Sequence, residues 1–99
     1  MQDGIVADIS SSLNAEHRVP LGLARRGFCG HIDAITAADA PSGVPAAELE
    51  RRLLELGFVE GAKVEVLHEG LVGRDPIAVR VNDATIALRR REAMAILVT

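Results

Sequence analysis

The sequence has no tryptophan and no tyrosine, and its only aromatic side chains are Phe28 and Phe58. The core must therefore be aliphatic, filled by Val, Leu, Ile and Ala. An aromatic-lined groove for proline-rich peptides cannot be built. A stacking platform for single-stranded nucleic acid is excluded with it. Cysteine is nearly absent too. Cys29 stands alone, so no internal disulfide can form, and a reducing, cytoplasmic setting is expected. Positive charge is not in surplus. The formal net charge is −3, whereas nucleic-acid binders draw most of their affinity from a basic balance, so no nucleic-acid partner is expected. No run approaches the ~20 apolar residues of a membrane span. No basic stretch leads into an apolar one as in a secretory signal. Direct membrane insertion is not expected.

What is present suits one small domain. The 99 residues are 48% hydrophobic, enough for one core and not two. Residues 1–19 are polar and Ser-rich, and read as a disordered leader. Residues 20–99 read as the folded domain. Leu21, Leu23 and Ala24 suggest one helical turn that Gly27 ends. Phe28 to Thr36 reads as a strand anchored by Ile32 and Ile35, whose spacing of three predicts a bulge or bend. Residues 37–44 read as a loop.

The clearest helix runs from about Pro45 to Leu56. Ala46, Leu49, Leu53 and Leu56 form its apolar stripe, and Gly57 suits a left-handed helix end. Glu48 with Arg52, and Arg51 with Glu55, are spaced as i,i+4 pairs. Lys63 to Glu69 reads as a strand with Val64, Val66 and His68 on one face. Residues 70–75 read as a mobile loop. Taking Asn82-Asp83 as a two-residue turn pairs Val81 with Ala84, Val79 with Ile86 and Ile77 with Leu88. A register shifted by one would mix the faces. Arg90 to Ala95 reads as a short helical turn, and Ile96 to Val98 as a terminal strand that needs a partner strand. The basic clusters Arg51-Arg52 and Arg89-Arg90-Arg91 read as solvated surface. Together these elements predict a mainly β fold, a small SH3-like, partly open barrel of about five strands with one inserted α-helix. An OB-type barrel is the second choice.

Several segments agree in order and spacing with one family. RRLLELGFVEG (51–61), KVEVLHE (63–69), DPIAVRV (75–81) and TIALRRREAMAILV (85–98) resemble the FeoA family, ferrous iron transport protein A. Leu21 to Ile35 is similar to the family's leucine-rich opening turn and Gly-x-Ile strand. The resemblance implies an SH3-like barrel in the cytoplasm. It implies a partner, FeoB, a membrane ferrous iron transporter with a cytosolic GTP-binding part, and no chemistry of the chain's own. The expected contact surface is the helix and its end, with Arg51, Arg52 and Glu55, and the 70–75 loop with Arg74.

Two other functions are set against this one. Catalysis would need Cys29, His31 and Asp33, which alternate on one strand, to meet an oxyanion hole and a pocket. Neither is visible, and no enzyme is expected. Gly70 to Arg74 lacks the Lys-Ser/Thr end of a phosphate-binding loop. Metal binding would place the Cys29 thiolate and the His31 imidazole about 6.5–7 Å apart on one strand face. His68, Glu69 or Asp33 would have to complete the set. No cofactor is expected; a divalent transition metal would have to use Cys29, His31 and His68. The alternative function is a metal-binding or metal-responsive regulatory domain resembling the C-terminal barrel of metal-dependent repressors. That class requires a winged helix-turn-helix upstream, for which residues 1–19 are too short.

Overall fold

The computed structural model describes residues 18–36 and 45–99. Residues 1–17 of the expected 1–19 leader, and the expected loop at 37–44, lie outside the described residues; the last two leader residues are instead ordered, Arg18 in an ion pair with Asp33 and Val19 in a strand. The elements run in the order β1 (Val19–Pro20), a 3-10 turn (Leu21–Leu23), β2 (Cys29–Ile35), α1 (Ala46–Glu55), β3 (Lys63–Glu69), β4 (Ile77–Val81), β5 (Ala84–Leu88), α2 (Arg90–Ala93) and β6 (Ile96–Val98). The strands form one antiparallel sheet in the order β1-β6-β2-β3-β4-β5.

The sheet has six strands rather than the five expected. The extra one, β1, is two residues long and holds Val19 opposite Val98. A pair of residues carries no period to read, and Pro20 suits an edge because it donates nothing to the ladder. The terminal strand β6 lies between β1 and β2, so it joins the two ends of the chain's folded part.

The β4–β5 hairpin has the predicted register at all five pairs, from Ile77 opposite Leu88 to Val81 opposite Ala84. Asn82 turns the chain with φ of 55°, a left-handed value that asparagine tolerates. The bulge predicted in β2 falls between Ile32 and Ala34. A second bulge, between Val66 and His68 in β3, was not predicted. It shifts the parity of the strand. Val64 and Val66 point into the core as expected, but His68 turns out to solvent.

Helix α1 begins at Ala46, because Pro45 is extended (φ −56°, ψ 141°) and contributes only the first carbonyl, to Leu49. Leu49 and Leu53 are buried, whereas Leu56 is exposed and Ala46 only partly covered, so the stripe is narrower than predicted. Gly57 (φ 105°) ends the helix. Its N–H bonds the Leu54 carbonyl, and the Phe58 N–H reaches back to the Leu53 carbonyl. This is the paired closure that glycine permits and a Cβ would strain. The turn also drives Phe58 into the core beside Leu53, both almost fully buried. The remaining core is aliphatic, as the composition requires: Leu21, Ile32, Val64, Val66, Ile77, Val79, Val81, Ile96 and Val98 are each at most 2% exposed. No helix among the described residues is long and apolar enough to cross a membrane.

Candidate functional site

The donors proposed for a metal lie on the outer face of the sheet. Cys29, His31 and Asp33 are exposed and alternate with buried Gly30 and Ile32, so they share a face as the alternation requires. Cys29 is a free, exposed thiol. Its cross-strand neighbour is Glu65, and that of His31 is Lys63, an ammonium where a further donor would be needed. Asp33 is bound by Arg18 at 2.6 Å. His68 sits beyond the β3 bulge, opposite Ala78. Glu69 is held by Arg90 at 2.6 Å and approached by Arg25 at 3.6 Å. Among the described residues, no three His, Cys, Asp or Glu side chains gather where they could hold a metal ion.

The expected partner residues divide into two places. Arg51, Arg52 and Glu55 are exposed on α1. Arg52 does not pair within its helix; its guanidinium lies 3.8 Å from Glu92 at the end of α2. Arg51 and Glu55 flank Leu54, one helical turn apart on one side. Leu54 remains 46% exposed. Leu56 and Val59 are exposed just after it, and a shallow dip lined by Pro45, Ala47, Glu48 and Arg51 lies at the other end of the helix. This face combines charge with uncovered aliphatic surface. Sequence reasoning named its charges and left Leu54 off the apolar stripe, but did not count Leu54 as part of the contact surface.

Arg74 is elsewhere. The C-terminal end of α1 lies by the β4–β5 turn, where a Cβ on Gly57 would come 3.0 Å from the Asn82 amide nitrogen. Arg74 precedes the opposite end of β4. It is left-handed (φ 59°), and its carbonyl accepts a hydrogen bond from Arg90 Nε at 2.8 Å.

Arg90 departs from the solvated basic surface that its sequence cluster predicts. Its side chain is 18% exposed. Besides the Arg74 carbonyl, its Nη1 donates to the carbonyls of Gly22 (3.0 Å) and Ala24 (2.6 Å), and its Nη2 to the Glu69 carboxylate (2.6 Å). Its own backbone N–H bonds Asp75 Oδ1 at 2.9 Å, starting α2. One guanidinium thus ties together the 3-10 turn, the end of β3 and the 70–75 loop. Only a planar fork with five donors can meet so many acceptors at once. Gly22 permits the approach, since a Cβ there would collide with the Arg90 carbonyl and the Met94 side chain. The partners lie 15 to 68 residues from Arg90, so no local spacing betrays the role. The second bulge in β3 is what brings Glu69 to this end, opposite Ile77.

Residues 19–99 match the family model for the FeoA domain. Among solved structures, FeoA of Stenotrophomonas maltophilia complexed with zinc is described as a procaryotic SH3 domain protein. It is 32% identical over 80% of this chain and 87% of that one, with a TM-score of 0.66. FeoA of Chlorobium tepidum is also 32% identical, over 81% of this chain and 68% of that one, with a TM-score of 0.65. A manganese-dependent transcriptional repressor shares the fold at 24% identity (TM-score 0.67), with this chain spanning 41% of it. Among curated proteins, none matches the sequence. The mainly β, SH3-like architecture is thus common to all three structures.

Proposed function

The chain belongs to the FeoA family, whose place is in ferrous iron transport, and on that premise we propose that it is a cytoplasmic accessory protein that binds and regulates a FeoB-type membrane transporter through the transporter's cytosolic part. It works by contact and catalyses no reaction. The observation that carries this reading is the outer face of α1, where Arg51 and Glu55 flank the half-exposed Leu54, while Arg52 lies on the other side of the helix beside Glu92. Covering the remaining exposed half of this leucine at an interface contributes about 1 kcal/mol, and the flanking charges set orientation more than affinity. Arg74, at the far end of β4, is not part of that face.

The likeness to the manganese-dependent repressor is one of fold alone. The test is capture of the full chain by the purified cytosolic part of the transporter. Leu54→Asp should weaken binding at least ~10-fold while leaving the melting temperature within a few degrees, because Leu54 is not a core residue. Failure of the wild-type chain to bind at any salt concentration would end the proposal. Unchanged binding by Leu54→Asp would move the contact away from α1.

A further inference from the structure

The 70–75 loop carries the two most exposed large apolar side chains among the described residues, Leu71 at 103% and Val72 at 87%. They stand in sequence at the tip of a turn and touch almost nothing. Such a tip is costly to leave in water and contributes nothing to the core.

Its base is held. Gly70 N–H bonds the Pro76 carbonyl at 2.9 Å, Arg90 Nε holds the Arg74 carbonyl, and Asp75 caps α2. The tip is therefore presented by a fastened stem. The cations around it are arranged by the same clasp. Arg74 follows the tip after Gly73, with its backbone carbonyl bonded by Arg90 and its side chain exposed. Arg25 reaches to 3.6 Å from Glu69, the residue before Gly70. Arg26 is exposed beside it. Leu23, 64% exposed, adjoins Ala24, whose carbonyl Arg90 holds. The two nearby carboxylates are already engaged, Glu69 by Arg90 and Asp75 by the Arg90 N–H. The end of the molecule thus shows an apolar point with exposed Arg74 just beyond it and exposed Arg25 and Arg26 on the segment beside its stem, although the whole chain is acidic.

We propose that this end docks on an anionic lipid surface, with Leu71 and Val72 entering the headgroup and acyl boundary and Arg25, Arg26 and Arg74 meeting the lipid phosphates. Shape decides between lipid and protein as the occupant. A folded partner would need a concavity matched to a two-residue point, whereas a fluid interface closes around any convex apolar tip. The charge has the sign that an anionic leaflet attracts. Neither component suffices alone: two side chains bury too little for stable anchoring, and stable attachment takes an apolar and a basic signal together. The proposal does not depend on the transporter contact, which lies on α1.

Sedimentation of the full chain with vesicles tests it in the absence of any transporter. Binding is expected to vesicles of phosphatidylcholine with phosphatidylglycerol, to be weak on phosphatidylcholine alone, and to fall as salt rises. The double variant Leu71→Ser/Val72→Ser should lose binding about tenfold, and Arg74→Ala about fivefold. Both should keep the wild-type melting temperature, since the substituted side chains leave the core and the Arg90 bonds untouched. No binding to anionic vesicles at low salt would overturn the proposal. So would equal binding to neutral vesicles, or binding indifferent to the double variant. If the double variant instead loses capture by the transporter's cytosolic part while wild-type chain ignores vesicles, the tip is a protein contact and the lipid assignment fails.

Discussion

The two ends of the β3–β4–β5 sheet are closed by different physics. At the end next to the Asn82 turn, α1 and Gly57 fold Leu53 and Phe58 over the sheet, and closure comes from aliphatic burial shared among many side chains. At the other end, closure is polar and rests on one residue. Arg90 holds a carbonyl of the 3-10 turn and that of Ala24 just after it, the Arg74 carbonyl and the Glu69 carboxylate. Burial is divisible, so each side chain lost removes its share. A shared guanidinium is not, because removing it leaves every partner short at once. The difference teaches where the domain is robust and where a single change reorganises it.

The comparison can be broken by mutation. The largest loss of stability is expected from Leu53→Ala, about 3–4 kcal/mol. Denaturant unfolding should show it, and hydrogen exchange should speed at both ends together, because the core is common. Arg90→Ala should cost less globally, about 2–3 kcal/mol, since part of the site is open to water. Its signature should be local: the Gly70 amide, which bonds Pro76, should lose protection well before amides of the β4–β5 hairpin. Arg90→Lys should recover little of this, because an ammonium cannot span the fork. Equal loss of protection everywhere in Arg90→Ala would erase the distinction between the ends. The smallest effect sharpens the scale. Arg18 and Asp33 form an ion pair as short as any at the clasp, 2.6 Å, but with both side chains about 40% exposed. Arg18→Ala should cost under ~1 kcal/mol and vanish in high salt. A cost comparable with that of Arg90→Ala would mean that geometry, not shared burial, makes Arg90 important.

Much of the first end was legible in the sequence. The hairpin register follows from alternation, since only one pairing keeps Ile77, Val79, Val81 and Leu88 together. The end of α1 follows from glycine before an apolar residue. The proposed contact face on α1 was half legible. Its charges and the outward place of Leu54 follow from the helical period, whereas the exposure of Leu56 depends on how much of the helix the sheet covers. The Arg90 end was read wrongly, as part of a solvated basic run. Its sequence neighbours Arg89 and Arg91 are indeed exposed, and three adjacent arginines give no sign that the middle one turns in. His68 was misplaced for a related reason. Period two holds only while the ladder is regular, and the bulge at Leu67 reverses the parity of all that follows in β3.

By itself, the sequence determined the aliphatic core, the single helix of substance, the hairpin and the kind of fold, because these rest on periodicity and turn chemistry acting within a dozen residues. Only the tertiary structure decided that Arg90 gathers residues 22, 24, 69, 74 and 75, and that Leu71 and Val72 are left standing free on the stem it fastens. The physical reason is distance along the chain. A guanidinium satisfied by acceptors from three remote segments has no local pattern, and it exists only once the sheet has brought those segments to one place.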